Sequence, residues 1–309
     1  MKIIITGAGG FVGKNLLLNL PPRYRILALD REESLSRFID ERGLENVECA
    51  AVDLNDGASL DRLSKTAGEE WDAVIYLAGN GDPAYSVGHP REDLRDSAGG
   101  LISFFSRFRA RQVVYFSSGA VYDGISGQVS PDSFLDPLLP YAIGKLACEQ
   151  YVKFFRKIGR IGNYIILRFF GAYGPYEPPR KIYTRLVRNF AIEKKDEFTI
   201  RGDGKNLIDA MFIDDTVRGV EAMLKSGVKD RVVDFCVGKP YTIKKLVEEA
   251  ARVFNVKVRV RMEGEVPEYI NFLPSPRPME DLFGFIPTIP LSKGLLSLAR
   301  HLKNEEKSI

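Results

Sequence analysis

Tyr141 and Lys145 stand four residues apart in the run Pro140-Tyr141-Ala142-Ile143-Gly144-Lys145, a spacing that puts two side chains on one face of a helix. Proline at the head of that run suits a first helical turn. A phenol ordinarily keeps its proton to about pH 10, too high for a base at neutrality. An ammonium one turn away favours the phenolate and brings that value down. Tyr-x-x-x-Lys is a common chance pairing, and by itself it describes an ordinary surface helix as readily as a catalyst. Upstream, Tyr115-Phe116-Ser117-Ser118-Gly119-Ala120-Val121-Tyr122 reads as a strand delivering hydroxyls at its C-terminal end, the edge where ligands bind in open parallel sheets. A phenol with such a cation beside it is a candidate general base.

A second constellation lies at the other end of the chain. Ile5-Thr6-Gly7-Ala8-Gly9-Gly10-Phe11-Val12-Gly13 reads as a strand running through a glycine turn into a helix. Gly7 permits the tight turn, Gly10 lets backbone approach a pyrophosphate, and Gly13 permits close packing of helix on strand. The start of the helix, Phe11-Val12-Gly13, offers free N–H groups and positive potential to the phosphates. Glycines also mark ordinary turns, so the weight comes from their position at the first strand–helix junction. Asp30 closes the next apolar run, Ile26-Leu27-Ala28-Leu29, about twenty residues past the turn, where a carboxylate accepts both ribose hydroxyls. The same carboxylate repels a 2′-phosphate, which favours NAD over NADP; Arg31, next in sequence, keeps the second open.

The elements that must position these groups follow from the hydrophobic pattern. Ile3–Ile5, Ile26–Leu29, Val74–Leu77, Val113–Phe116 and Tyr164–Arg168 read as short strands separated by segments with helical spacing. That alternation predicts an α/β fold, a Rossmann-like, doubly wound parallel sheet covered on both faces. After Gly171 prolines and longer loops interrupt it, at 196–206 and 263–279. Helices are expected over Thr216–Lys225, headed by Asp214 and Asp215 as caps, and from Thr242 through Phe254. The expected division is a nucleotide-binding domain over 1–170 and a smaller, mixed α/β substrate lobe over 171–309. Part of the latter, around 208–240, returns to the main sheet. Residues 303–309 are expected to fray.

Composition narrows the function classes. The chain has 309 residues, 44 basic against 41 acidic, a balance that gives no footprint for nucleic acid. Cys49, Cys148 and Cys236 are far apart and only His89 and His301 are present, so neither a disulfide scaffold nor a metal site is expected. The apolar run at the N-terminus, three isoleucines, is too short for a signal peptide, and no run approaches a membrane span. A cytoplasmic protein is the expectation.

Gly7/Gly10/Gly13, Asp30, Ser117-Ser118 before Val121-Tyr122, and Tyr141/Lys145 together resemble the extended short-chain dehydrogenase/reductases. Within them the nearest resemblance is to the NAD-dependent epimerase/dehydratase group acting on nucleotide-sugars. It continues through Leu167-Arg168-Phe169-Phe170, Tyr173-Gly174-Pro175, Gly202-Asp203-Gly204 and Phe212-Ile213-Asp214-Asp215, ending near Gly284-Phe285-Ile286-Pro287. The resemblance implies that Ser118 is the catalytic hydroxyl, Tyr141 the acid/base and Lys145 its partner. It implies too that Asp53-Leu54 contacts the adenine and that Leu77-Ala78-Gly79 lines the cofactor.

Dehydratases of this group place an Asp-Glu pair directly after the catalytic threonine. Gly119 and Ala120 stand there instead and cannot transfer protons. A reductase usually draws on exchangeable NADPH, against which Asp30 argues. The best fit is an epimerase that retains NAD, oxidises a sugar carbinol and returns the hydride to the opposite face. A ketosugar-nucleotide reductase or dehydrogenase, and a non-catalytic NAD-binding protein, are the alternatives. Three positions depart from the group: Gly171 replaces an asparagine and Ile208 an arginine, both of which hold the substrate's diphosphate, and Ser97 replaces a further asparagine. Arg180, Lys181, Arg185, Arg188 and Arg277 are the available substitutes. Gly119 is expected beside the substrate, and Tyr173, Tyr176 and Tyr183 either line its pocket or pack the small lobe. The resemblance implies a nucleotide-diphosphate sugar as substrate. It also implies a homodimer built from helices near 94–108 and 141–156, and the stripe Phe104-Phe105-Phe108 suits either that bundle or burial within the domain.

Overall fold

The structure, a computed structural model, describes residues 1–266 and 270–307. Its centre is a seven-stranded parallel sheet. The first five strands are β1 (Lys2–Thr6), β2 (Arg25–Asp30), β3 (Val47–Ala51), β4 (Glu70–Tyr76) and β5 (Arg109–Ser118), followed by Tyr164–Phe169 and Arg231–Phe235. In space the order is 231–235, 164–169, β5, β4, β1, β2, β3. The chain therefore winds outward from β1 in one direction through β2 and β3, then restarts at β4 and winds the other way. The crevice above β1 and β4 is the point where strand order reverses, the place ligands occupy in such sheets.

Ile3, Ile4 and Ile5 are inaccessible to solvent because both faces of the sheet are covered, which is why β1 reads as an unbroken apolar run. Ile3 and Ile5 face α1 (Phe11–Asn19), α2 (Ser34–Glu41) and the helix Ile213–Lys225 through Leu16, Leu35, Ile39, Val217 and Val220. Ile4 faces the other layer, made by α3 (Gly57–Ala67) and the helices Gly100–Phe105 and Pro140–Lys157, through Leu60, Leu101, Phe104, Cys148 and Val152. Phe104, Phe105 and Phe108 are completely buried in this layer. The stripe is core within the domain, not a surface offered to a second copy.

A third apolar cluster packs Tyr173, Tyr183, Leu186, Phe190 and Phe198 with Leu246 and Leu298. Residues 211–235 supply a helix and the edge strand of the main sheet. Several expectations are corrected here. The segment 196–206 holds the strand Glu197–Arg201, paired in parallel with Arg259–Glu263. The segment 263–279 holds Asn271–Leu273, paired with Ser126–Gln128, while its residues 267–269 lie outside the described ones. Short strands whose partners come from distant chain leave little local pattern. The terminal helix, Leu291–Lys307, continues through the stretch expected to fray, and 308–309 lie outside the described residues. Thr242 caps its helix as expected, accepting from the Lys245 amide at 3.2 Å.

Asp214 and Asp215 are not caps. Phe212 occupies the N-cap position, with no side-chain cap. Asp215 is fully buried in the first turn and pairs with Arg218 at 2.6 Å. Its second oxygen accepts the amides of Thr288 and Ile289 at 3.0 and 2.8 Å, tying the approach to the terminal helix onto the core. Asp215→Ala is expected to destabilise the protein by about 2–4 kcal/mol in urea denaturation, since two amides and a guanidinium lose a buried charged partner; Asp214→Ala should stay within about 1 kcal/mol.

Candidate active site

At the junction of β1 and α1, Gly7 has φ +68°, and a Cβ there would lie 2.9 Å from the Ala78 nitrogen. A Cβ on Gly13 would fall 2.5 Å from the Ala8 carbonyl oxygen. The turn thus lies flush against the end of β4, clamped by Thr6, whose hydroxyl accepts the Leu77 and Ala78 amides at 3.2 Å each. No side chain caps α1 at Gly10, so the helix presents its first N–H groups to an anion. The Asp30 carboxylate accepts from the Gly9 amide at 2.8 Å and the Glu32 amide at 3.2 Å, bracing the turn from the tip of β2. Arg31 beside it is engaged by Asp96 at 3.1 Å.

A cleft of about 780 Å³ runs from this turn to the start of the helix Pro140–Lys157. Gly7, Gly10, Phe11, Val12 and Gly13 line its floor, with Asp30, Arg31, Asp53 and Leu54 at one end and Leu77, Ala78 and Gly79 along the middle. Ser118, Gly119, Tyr141 and Lys145 line the other end. A turn in which Gly7 and Gly13 leave no room for a side chain, an uncapped helix and a strand-end carboxylate together fit a dinucleotide.

At the catalytic end, the Tyr141 amide donates to the Ser86 hydroxyl at 3.1 Å. Ser86 in turn donates to the Pro83 carbonyl at 2.7 Å. The start of the helix Pro140–Lys157 is therefore held by a residue far away in sequence. Lys145 is buried, with its Nζ 5.6 Å from the centre of the Tyr141 ring and donating to the Phe116 carbonyl at 3.4 Å. The Ser118 hydroxyl accepts the Ala120 amide at 3.1 Å, leaving its own proton to donate. Ser117, one residue earlier, spends its hydroxyl on Glu149 at 2.6 Å. Of the two serines, only Ser118 keeps its hydroxyl proton for a substrate.

Beneath this end lies a buried chain of polar groups. Arg168 donates to both oxygens of Glu149, at 3.1 and 3.0 Å, and through Nη1 to the Tyr122 hydroxyl at 3.0 Å. Tyr122 donates to Asp234 at 2.7 Å. Burial pushes the Asp234 carboxyl up to about 6, with the Tyr122 hydrogen bond pulling back. Glu149 lies one turn beyond Lys145 on the same helix face, and that spacing was a readable signal. Ser86 and Asp234 had none, because their partners are 55 and 112 residues away.

The expected substrate residues divide. Arg180 lines the cleft but is held by Asp82 at 2.9 Å. Arg185 lies over the Phe198 ring and lines a smaller cavity of about 180 Å³, which shares Ile182, Asn206 and Ile243 with the main cleft. Tyr173 is a core residue, stacked on Tyr183 at 4.2 Å between ring centres, and Arg277 is exposed at the start of the helix Arg277–Phe283, outside the cleft lining. Arg188 pairs with Glu306 at 3.6 Å. Gly171 and Ile208 do line the cleft, and neither side chain has a hydrogen-bond donor for phosphate. Ser97 is buried behind Gly79. Two acids that the sequence did not single out line the wall. Burial raises Glu177 to about 7 and Asp209 to about 6; Asp209 accepts the Val237 and Gly238 amides at 3.1 and 2.7 Å.

Fold and site define a dinucleotide-binding α/β enzyme with a tyrosine and a lysine together at one end of its cleft. The sequence pattern of the NAD dependent epimerase/dehydratase family matches residues 3–238. The chain is 28% identical to UDP-glucuronate 4-epimerase 1 of Arabidopsis thaliana, over 97% of this chain and 76% of that one. It is 25% identical to an uncharacterized protein of Methanocaldococcus jannaschii, over 95% of this chain and 94% of the other. Among solved structures, UDP-glucuronic acid 4-epimerase from Bacillus cereus, in complex with UDP-glucuronic acid and NAD, superposes with a TM-score of 0.86 at 25% identity, covering 99% of this chain and 100% of that one. The UDP-glucose 4-epimerase of Thermotoga maritima shares the fold, with a TM-score of 0.87 at 20% identity and the same coverage. This chain belongs to the NAD-dependent epimerase/dehydratase family, and its cofactor is NAD.

Asp234 gives the site a pH signature. In the unfolded chain an aspartate loses its proton near pH 4; in the native state Asp234 holds it to about 6. Between those values the native state binds more protons, so stability contributed by this group is full below about pH 4 and is lost as pH rises through 6. Asp234→Asn is expected to remove on the order of 2 kcal/mol from the fall in denaturation free energy between pH 4 and 7, read as the difference between the two pH profiles.

Proposed function

We propose that this enzyme is an NAD-dependent sugar-nucleotide epimerase that works at a sugar carbinol with Tyr141, Lys145 and Ser118. The observation that carries the reading is the union, in one cleft, of the glycine cradle at one end and a hydroxyl beside a tyrosine–lysine pair at the other. Bound NAD supplies the place to which hydride goes and from which it returns. The protein's part is proton control. Tyr141, with the Lys145 ammonium 5.6 Å from its ring centre, takes the proton of the sugar hydroxyl and gives it back after the ketone has turned over. The Ser118 hydroxyl donates to the reacting oxygen. Gly119 and Ala120 add no acid or base, which separates this chemistry from loss of water. With no phosphate donor in the side chains at 171 and 208, the nucleotide diphosphate is placed against Arg185 and Arg201, which line the smaller cavity. Neither arginine has a carboxylate partner among the described residues. The three cysteines are free, which suits a reducing cytoplasmic setting, and no described helix is long and apolar enough to cross a membrane.

Tyr141→Phe is expected to lower turnover by about 100- to 10,000-fold while NAD stays bound, measured by product chromatography and cofactor release on denaturation. In the native enzyme the substrate's mass should be unchanged by turnover and no NADH should accumulate. Net NADH would make it a dehydrogenase, and unaltered turnover in the variant would remove Tyr141 from the mechanism.

The homodimer is proposed on a different surface from the phenylalanine stripe. Ile143, Tyr151, Phe154 and Ile158 form one apolar face along the helix Pro140–Lys157 and its end, each 38–53% exposed, with Leu94 at 49%. A stripe at helical spacing on the outer side of a packed helix is built to meet another helix. Phe154→Glu is expected to convert a dimer to a monomer by light scattering, and a monomeric native protein would overturn the assignment.

A further inference from the structure

Tyr141 sits in the first turn of a helix whose start has no cap of its own. Leu139 holds the N-cap position without a side-chain hydrogen bond, and Pro140 has no N–H to give. The amides on either side would be left open. Each is taken instead by a side chain from a distant element. The Tyr141 amide donates to the Ser86 hydroxyl at 3.1 Å. The Leu138 and Leu139 amides both donate to one carboxylate oxygen, Oδ2 of Asp123, at 3.1 and 3.0 Å. Leu138 is 82% exposed, so packing of its side chain is not what holds this approach.

Asp123 is the far end of the turn that begins at Ser118. The Ser118 hydroxyl accepts the Ala120 amide at 3.1 Å and so caps the short turn Gly119–Tyr122. The Asp123 amide closes the same turn on the Ala120 carbonyl at 2.9 Å. Val121 and Tyr122 between them are fully buried, and the Tyr122 hydroxyl is fixed by Asp234 and Arg168. The turn is therefore a platform with Ser118 at one end and the Asp123 carboxylate at the other. Asp123 is not among the residues that line the cleft, so it acts on the site only through what it holds.

We propose that Asp123 is a positioning residue for Tyr141: its Oδ2 ties the start of the tyrosine helix to the Ser118 turn and so sets the phenol against the serine hydroxyl. The Glu149–Arg168 pair anchors the same helix about two turns further on. Without Asp123 the first turn is held from one side alone, by Ser86. Misplacing a reacting group by about 1 Å costs on the order of 100-fold in rate. The brace needs an acceptor and not a charge, because both bonds fall on one oxygen, and an asparagine carbonyl has lone pairs for the same two amides. The assignment rests on the epimerase reading for the reaction by which it is measured.

The test is a double-mutant cycle on the NAD-loaded enzyme, with UDP-glucose and UDP-glucuronate as substrates. Asp123→Ala is expected to lower kcat by about 10- to 100-fold while KM changes by less than about twofold. Asp123→Asn should stay within about threefold of the native kcat. In a Tyr141→Phe background, where no phenol remains to be placed, Asp123→Ala should cost less than about threefold; a general loss of stability would multiply through. Hydrogen exchange reads the brace without turnover: the Leu138 and Leu139 amides should be protected in the native and Asp123→Asn proteins and exchange fast in Asp123→Ala. An unchanged kcat in Asp123→Ala, an equal loss in the Tyr141→Phe background, or a loss in Asp123→Asn as large as in the alanine variant overturns the proposal. So do unprotected Leu138 and Leu139 amides in the native enzyme, and that measurement decides alone if Asp123→Ala does not fold. A native protein that holds NAD but turns over neither compound is a different result: it counts against the epimerase reading, and exchange at 138 and 139 then judges the brace.

Discussion

The buried pair between Glu149 and Arg168 is the constraint on which the rest of the site depends. Neither side chain has meaningful contact with water, so each charge is tolerable only because the other is there, in two-point geometry. The pair also reaches further than its two members. Glu149 takes the Ser117 hydroxyl, and Arg168 passes through Tyr122 to Asp234. Four elements that are far apart in sequence, β5, the helix Pro140–Lys157 and the last two strands of the sheet, are thereby locked in one register. Ser118 extends from the first and Tyr141 and Lys145 from the second. The placement of the Ser118 hydroxyl relative to the Tyr141 phenol is thus set by groups buried beneath the cleft.

Strand periodicity gives this arrangement its economy. Successive side chains on β5 alternate between faces, so adjacent serines go to opposite tasks: Ser117 inward to the ion pair, Ser118 outward to the cleft. On the helix, a spacing of four does the complementary work, putting Tyr141, Lys145 and Glu149 on one face, the first two lining the cleft and the third anchored to Arg168. At the other end the cradle is made by subtraction. Gly7 and Gly13 matter because any side chain would collide with backbone, and α1 matters because its first turn has no side-chain cap of its own.

Much of the site was legible in the chain because it depends on short-range spacing. The glycine turn, Asp30, Ser118, and the Tyr141/Lys145 pair all lie where strand–turn–helix logic places them, and all line the cleft. The misreadings share a cause. Tyr173 looked available to a ligand but is stacked in a core whose other half, Tyr183, arrives from a later helix. Asp214 and Asp215 looked like caps, since acids before a helix usually are. Asp215 instead binds amides at 288 and 289, which no local pattern announces. Phe104, Phe105 and Phe108 had two consistent readings, and only the position of β4 and β5 beneath them excluded solvent and a partner alike.

The sequence by itself determined the fold class, the nucleotide end and the cofactor, and singled out Ser118, Tyr141 and Lys145, which the fold brings to one cleft, because each is written within one turn of helix or one strand–helix junction. Only the tertiary structure decided that the Ser117 hydroxyl is spent on Glu149 while Ser118 keeps its proton, that Arg185 and Arg201 line a second, smaller cavity, and that an acid, Glu177, stands buried in the cleft wall. Those outcomes are sums of charge and contact over residues brought together from across the chain, and a sum of that kind exists only once the chain has folded.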